Sequence, residues 1–271
     1  MKDFTFNDFK KSCPTLYDKY ADYKRMPFEI VAGPCRVESR EQIEAAAQSM
    51  VGYGIERLRA GCFKPTTFPG DPQGGGLKSA AILKEVADKY NLMSVSEVMT
   101  QEQAEEGTKY FDVAQIGARN MQNFDLLKSL GSKYREVVVK RHPGASLRDM
   151  CGALEWVAAH GDTEVTVCER GIVASHTHAA EARWIPDFSF IVAIKELMPG
   201  IKVMFDASHS AGLYWKVEPF AKAGVAAGAD SIMIEAHPNP RHSVSDKDQA
   251  ISLSELGPLV KNLREISDIL R

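Results

Sequence analysis

Two cations close an apolar run in this chain, and their spacing suits an anion. In Leu58-Arg59-Ala60-Gly61-Cys62-Phe63-Lys64-Pro65-Thr66-Thr67, Arg59 ends the run and Lys64 follows five residues later, held by Pro65. Arg offers a planar fork of donors for phosphate or carboxylate, and Lys adds a movable point charge. Two cations at the end of a buried strand are costly unless an anion or a carboxylate meets them. Arg119, Lys140 and Arg170 stand just past other apolar runs, so five cations form a candidate cradle for phosphate and carboxylate. A second set, Cys35, His209, Glu235 and Asp246, combines sulfur, nitrogen and oxygen. That mixture suits a borderline divalent metal such as Mn²⁺, Fe²⁺, Co²⁺ or Zn²⁺.

These side chains need a scaffold that gathers strand ends. Eight short apolar runs occur, at 28–32, 55–60, 92–96, 112–116, 136–140, 164–168, 201–206 and 230–235. Helical patterns at 40–53, 77–90, 101–107, 123–130, 146–160, 188–198, 217–227 and 252–270 alternate with them. The runs are near-continuously apolar, as parallel strands buried on both faces require. The pattern predicts an α/β protein, a (β/α)₈ TIM barrel over 27–271. A doubly wound open sheet is the alternative, but no GxGxxG follows the first run. Residues 1–26 carry Phe4, Phe6, Phe9, Leu16, Tyr17 and Tyr20. They are expected to pack as a short N-terminal arm on the barrel or on a neighbouring subunit, being too few for a regulatory domain. In such a barrel chemistry gathers at the C-terminal strand ends, where both sets fall together with Glu97.

Composition narrows the partners. A net charge of -3 over 271 residues gives no global field for nucleic acid or an anionic membrane. Met1-Lys2-Asp3-Phe4 opens no apolar signal region, and no apolar run approaches a membrane span. Five widely spaced cysteines without a CxxC pair read as free thiols in a reducing cytosol. A cytoplasmic protein acting on small molecules is expected.

Several short motifs now combine. They are Gly33-Pro34-Cys35, Leu58-Arg59 through Lys64-Pro65, Ser96-Glu97-Val98-Met99, and Gln115-Ile116-Gly117-Ala118-Arg119-Asn120 continuing through Asn123. Further along stand Cys168-Glu169-Arg170-Gly171, Ser208-His209-Ser210-Ala211-Gly212, Glu235-Ala236-His237-Pro238, and Ser245-Asp246 with Gln249. Together they resemble the type I 3-deoxy-D-arabino-heptulosonate 7-phosphate (DAHP) synthases of the short-barrel subgroup. The related octulosonate synthases share the fold. The resemblance implies condensation of phosphoenolpyruvate with erythrose 4-phosphate at the head of the shikimate pathway of aromatic amino acid biosynthesis. It implies that Cys35, His209, Glu235 and Asp246 bind the metal, and that Arg59, Lys64, Arg119, Lys140 and Arg170 hold phosphoenolpyruvate. By the same token the acceptor aldehyde is polarised by the metal, and C3 of phosphoenolpyruvate attacks it. Water oriented by Glu97 then adds at C2, and phosphate leaves by C–O cleavage. Lys64, with a pKa lowered by neighbouring Arg, is the candidate proton donor to the new alkoxide. The family's habit implies a homodimer or homotetramer.

The acceptor side departs from that pattern. Thr66, beside Thr67, stands where the family usually has Arg in Lys-Pro-Arg-Thr, and Ile172-Val173-Ala174 replaces Ile-Arg-Thr. Losing one such charged fork costs about 1.5–3 kcal/mol if nothing replaces it. One expectation keeps erythrose 4-phosphate, its phosphate held by Arg183, by His176 and His178 of a short insertion, or by a neighbouring subunit. The other is a different aldose or aldehyde, phosphorylated or not, as in a specialised pathway. The Lys-Ala-Asn-Arg-Ser pattern of the octulosonate synthases is absent, which counts against arabinose 5-phosphate. A catalytically silent barrel serving as a binding subunit would have lost these groups, yet both sets survive.

Overall fold

The apolar runs become strands because each is covered twice, by the barrel interior and by an outer helix. The computed structural model describes residues 4–71, 73–175, 177 and 183–270. Helices α1 (Phe6–Ser12) and α2 (Pro14–Tyr20) lead into β1 (Glu29–Gly33) and α3 (Arg40–Gly52). There follow β2 (Arg57–Arg59), α4 (Gly76–Lys89), β3 (Met93–Glu97), α5 (Gln101–Gly107), β4 (Val113–Ile116), α6 (Phe124–Leu130), β5 (Glu136–Lys140), α7 (Leu147–Ala158), β6 (Glu164–Glu169) and α8 (Phe188–Leu197). Last come β7 (Lys202–Asp206), α9 (Ala207–Ala211), α10 (Tyr214–Ala226), β8 (Ser231–His237), β9 (Ile251–Ser252) and α11 (Leu253–Leu270). Strands β1 to β8 pair in order, all parallel, and β8 pairs back onto β1. The chain is therefore a closed (β/α)₈ barrel, as its runs predict. Among the described residues no helix is long and apolar enough to cross a membrane.

Val31, Val95, Val113, Val138, Cys168, Met204 and Met233 form one buried cluster drawn from seven strands, the packed barrel interior. Beneath them Arg57 meets Glu29 at 3.1 Å and Glu136 at 2.9 Å, and Lys202 meets Glu29 at 3.0 Å. Mutual pairing makes these buried charges tolerable and leaves the opposite end open for chemistry. The arm packs on this chain's own barrel. Phe9 and Leu16 are fully buried, each worth about 1.5–3 kcal/mol. The Thr15 and Leu16 amides donate to the Glu155 carboxylate of α7 at 3.0 and 2.9 Å.

Three of the differences from the sequence expectation bear on the site. The second strand spans Arg57–Arg59, shorter than 55–60, because the chain leaves the sheet at Gly61, which bridges Arg36. Helix α9 has no counterpart, since five residues carry no readable period. It starts because the Asp206 carboxylate caps it, accepting from the His209 amide at 3.0 Å. The eighth strand runs two residues past 235 because β9 pairs with Ala236 and His237. Gly33, at φ 143°, lets β1 and β2 converge, since a Cβ there would lie 2.2 Å from the Arg59 carbonyl oxygen.

Candidate active site

The β1–β8 register sets Gly33 opposite Glu235, which brings Cys35 beside that carboxylate. Cys35 Sγ and one oxygen each of Glu235 and Asp246 all lie within 4.8 Å of one another. The Cys35 thiol donates to Asp246 Oδ2 at 2.8 Å. His209 Nδ1 is 2.9 Å from Asp206 Oδ2, so the proton sits on Nδ1 and Nε2 keeps its lone pair. That Nε2 faces Glu235 Oε1 at 3.6 Å, lone pair toward carboxylate. Burial lowers the His209 pKa below its ordinary value despite Asp206, which favours the neutral ring. Burial also pushes the Cys35 thiol up to about 12, with Glu235 adding to it. Two carboxylates and a thiol meet at one point, while His209 falls outside that group with Nε2 3.6 Å from Glu235. Sulfur and carboxylate oxygens with a nitrogen lone pair nearby make a donor set that fits a divalent cation, which would hold the thiolate form.

Beside this cluster a cleft of about 560 Å³ is lined by Lys64, Glu97, Arg119, Lys140, Arg170 and His209, among others. The five cations play different parts in it. Arg59 is not on the cleft wall; it donates to Glu235 Oε1 at 2.7 Å and to the Pro34 carbonyl at 3.3 Å. Lys140 is paired with Asp206 Oδ2 at 2.5 Å. Lys64 reaches Cys35 Sγ at 2.8 Å. Arg119 donates to the Pro65 carbonyl. Arg170 makes no ion pair among the described residues, and its Nε has no partner there either. Its guanidinium lies 5.5 Å from the Trp184 ring centre. Burial drives its pKa below the usual value.

The expected lowering of the Lys64 pKa is reversed. Burial does lower it, but Cys35 and Glu235 raise it further than burial and Arg59 pull it down. Glu97 accepts from Gln115 Nε2 at 3.3 Å through Oε2, while its buried Oε1 has no partner among the described residues.

At the acceptor side, Thr66, Thr67, Asp71 and Val173 line the same cleft. The Thr66 hydroxyl is spent within its own loop, accepting from Gln73 Nε2 at 2.7 Å and donating to the Phe68 carbonyl at 3.2 Å. Thr67 Oγ1 lies 3.5 Å from Arg119. Arg183 lines the cleft but donates to Asp246 Oδ1 at 3.2 Å and to Gln249. His176 and His178 lie outside the described residues. Sequence reasoning missed Trp184, Asp71 and the role of Gln249, whose Nε2 donates to Glu235 Oε2 at 2.5 Å. Only Gln249 carried a signal, its place in the Asp246 motif. Arg141, next to Lys140, is structural: it pairs with Glu169 at 2.9 Å and Asp187 at 2.8 Å and stacks on Phe190.

Fold and strand-end chemistry together are those of a (β/α)₈-barrel enzyme. Residues 22–271 match the model of the DAHP synthetase I family, and the chain belongs to that family. It is 35% identical over 243 residues to phospho-2-dehydro-3-deoxyheptonate aldolase of Thermotoga maritima, covering 90% of this chain and 71% of the relative. It is 29% identical over 266 residues to 2-dehydro-3-deoxyphosphooctonate aldolase of Rhodopseudomonas palustris, covering 91% and 90%. The crystal structure of the Thermotoga maritima enzyme superposes with a TM-score of 0.84 at 34% identity, over 91% of this chain and 70% of that one. A truncated form of a 3-deoxy-D-arabino-heptulosonate 7-phosphate synthase from the same organism gives 0.82 at 33% identity, over 91% and 88%. The chain is thus a transferase that forms a carbon–carbon bond.

Proposed function

We propose that the enzyme condenses phosphoenolpyruvate with an aldose phosphate, erythrose 4-phosphate in the first place, releasing DAHP and inorganic phosphate. The observation that carries this is Arg170, a half-buried guanidinium whose buried Nε has no partner and which has no ion-pair partner among the described residues, on the wall of a cationic cleft. An anionic donor substrate would satisfy it, and Lys64 and Arg119 would add charge to the same ligand. Cys35, His209, Glu235 and Asp246 would hold a divalent metal, which supplies Lewis acidity to the aldehyde oxygen. Lys64, its pKa raised beside Cys35 and Glu235 despite burial, can bind phosphate and give a proton to the new alkoxide. Glu97 Oε1 is available to accept a proton from the water that adds at C2. Five free cysteines accord with a cytoplasmic setting, and the family's habit favours a homodimer or homotetramer.

The Glu97 assignment has a steric test. A Cβ at Gly117 would stand 2.0 Å from Glu97 Oε1, so Gly117→Ala must displace that carboxylate. The expected result is a fall in kcat of about tenfold or more with phosphoenolpyruvate affinity held, since a 1 Å misplacement can cost ~10²-fold. An unchanged kcat in steady-state assays would remove Glu97 from the reaction.

A second reading has its own support. The consumed Thr66 hydroxyl, the apolar Val173 and the Asp71 carboxylate make a poor cradle for an acceptor phosphate. An unphosphorylated aldehyde would suit those residues better. Phosphate release should be followed with erythrose 4-phosphate, arabinose 5-phosphate and unphosphorylated aldehydes in parallel. Ordinary turnover of erythrose 4-phosphate at low concentration eliminates the second reading, and turnover of unphosphorylated aldehydes alone eliminates the first.

A further inference from the structure

We infer that Glu38, in the loop after β1, is the positioning residue that holds Asp246 in reach of Cys35 and Glu235. This rests on the metal-site reading proposed above and assigns a new residue to it. Glu38 lies outside the Cys35–Glu235–Asp246 group and off the wall of the cleft. It acts instead on the loop that delivers Asp246. Glu38 Oε1 accepts from the Ser243 hydroxyl and from the Val244 amide, both at 3.0 Å. Its Oε2 faces His237 Nε2 at 3.5 Å. His237 Nδ1 accepts from the Asn239 amide at 2.9 Å, so Nε2 carries the proton; it lies near Glu38 without a hydrogen bond among the described residues. One carboxylate thus ties the loop after β1 to the two residues just before Ser245 and Asp246, beside His237 at the end of β8.

Glu38 is itself anchored. Its amide donates to Gln42 Oε1 at 2.9 Å, and Gln42 Nε2 donates to the Arg36 carbonyl at 3.2 Å. The anchor therefore runs from the first turn of α3 into the segment that bears Cys35. Two observations indicate that the Asp246 loop needs this hold. Val244 is 65% exposed, so its side chain does not pin the backbone by packing. Asp246 sits at φ 52°, a left-handed conformation uncommon for side-chain-bearing residues, though Asp is among those that tolerate it. Released from Glu38, the loop can relax and withdraw a carboxylate from the donor set. Groups that orient ligands in this way typically account for 10–100-fold in metal affinity.

The test uses the full chain and Co²⁺ alone, followed by thiolate-to-cobalt absorption. Wild type should bind Co²⁺ with that band, and Cys35→Ala should lack it. Glu38→Ala is expected to weaken Co²⁺ binding at least tenfold. Glu38→Gln, which keeps an acceptor for Ser243 and Val244, should recover most of the loss. Ser243→Ala, which removes the hydroxyl's contacts to Glu38 and to the Ser245 carbonyl and amide, should lose several-fold. Melting of the metal-free variants separates positioning from general stability. A folded Glu38→Ala that binds Co²⁺ within twofold of wild type overturns the inference, whatever its melting temperature. If Glu38→Ala does not fold, unchanged affinity in Ser243→Ala overturns it equally. Absence of the band in wild type would instead bring down the metal reading, and this inference with it.

Discussion

Stripping divalent metal with a chelator is expected to lower kcat at least 10³-fold, and Cys35→Ala is expected to do the same without chelator. The magnitude follows from losing several kcal/mol of charge stabilisation at the aldehyde oxygen, about 4 kcal/mol being ~10³-fold. The structural ground is the crowding of electron pairs at the end of β1 and β8. Cys35, Glu235 and Asp246 meet within 4.8 Å, and His209 adds a lone pair 3.6 Å from Glu235. Without a metal, burial and Glu235 push the Cys35 thiol well above its ordinary pKa, and a proton-bearing sulfur is a poor ligand. Steady-state phosphate release before and after chelation, with Mn²⁺, Fe²⁺, Co²⁺ and Zn²⁺ added back singly, checks this. A Cys35→Ala enzyme that stays fully active in chelator would refute the metal reading. Cys35 is small, so its loss should leave the barrel folded, which circular dichroism can verify.

Arg170→Ala should move activity and stability in opposite directions. Removing a fork of charge-assisted hydrogen bonds to an anionic donor costs about 3 kcal/mol, so kcat/KM for phosphoenolpyruvate should fall roughly 10²-fold. The ligand-free protein should melt at the same temperature or higher, because the residue removed is a half-buried cation, its Nε buried, without a carboxylate partner among the described residues. Arg170→Lys should recover only part of the loss, since an ammonium lacks the planar fork that also lies over Trp184. Calorimetry and steady-state kinetics on the same preparations decide the matter. A fall in both melting temperature and activity would mark Arg170 as a structural residue. Lys140 gives the opposite sign: paired with Asp206 at 2.5 Å, it leaves a buried carboxylate exposed to the cost of isolation when removed.

The barrel was legible in the chain because strands buried on two faces must be apolar throughout, and eight such runs alternate with helical periods. Both sets of chemical groups were legible too, since a parallel barrel brings all its strand ends to one rim and residue types survive translation into space. What stayed hidden was the pairing among them. Arg59 and Glu235 are 176 residues apart, Lys140 and Asp206 are 66 apart, and only the strand register makes them partners. That register separates two neutralised cations from the unpaired Arg170, and it sets Cys35 and Glu235 near enough to Lys64 to raise its pKa. Thr66 shows the same division at short range. Its identity announced a missing charge, but that its hydroxyl is spent on Gln73 and Phe68 depends on how the loop closes. The sequence by itself determined which groups exist and that they share one rim, because composition and period are local. Tertiary structure alone decided which charges cancel and which face the cleft, because Coulomb energy depends on distance and burial, and both belong to the fold.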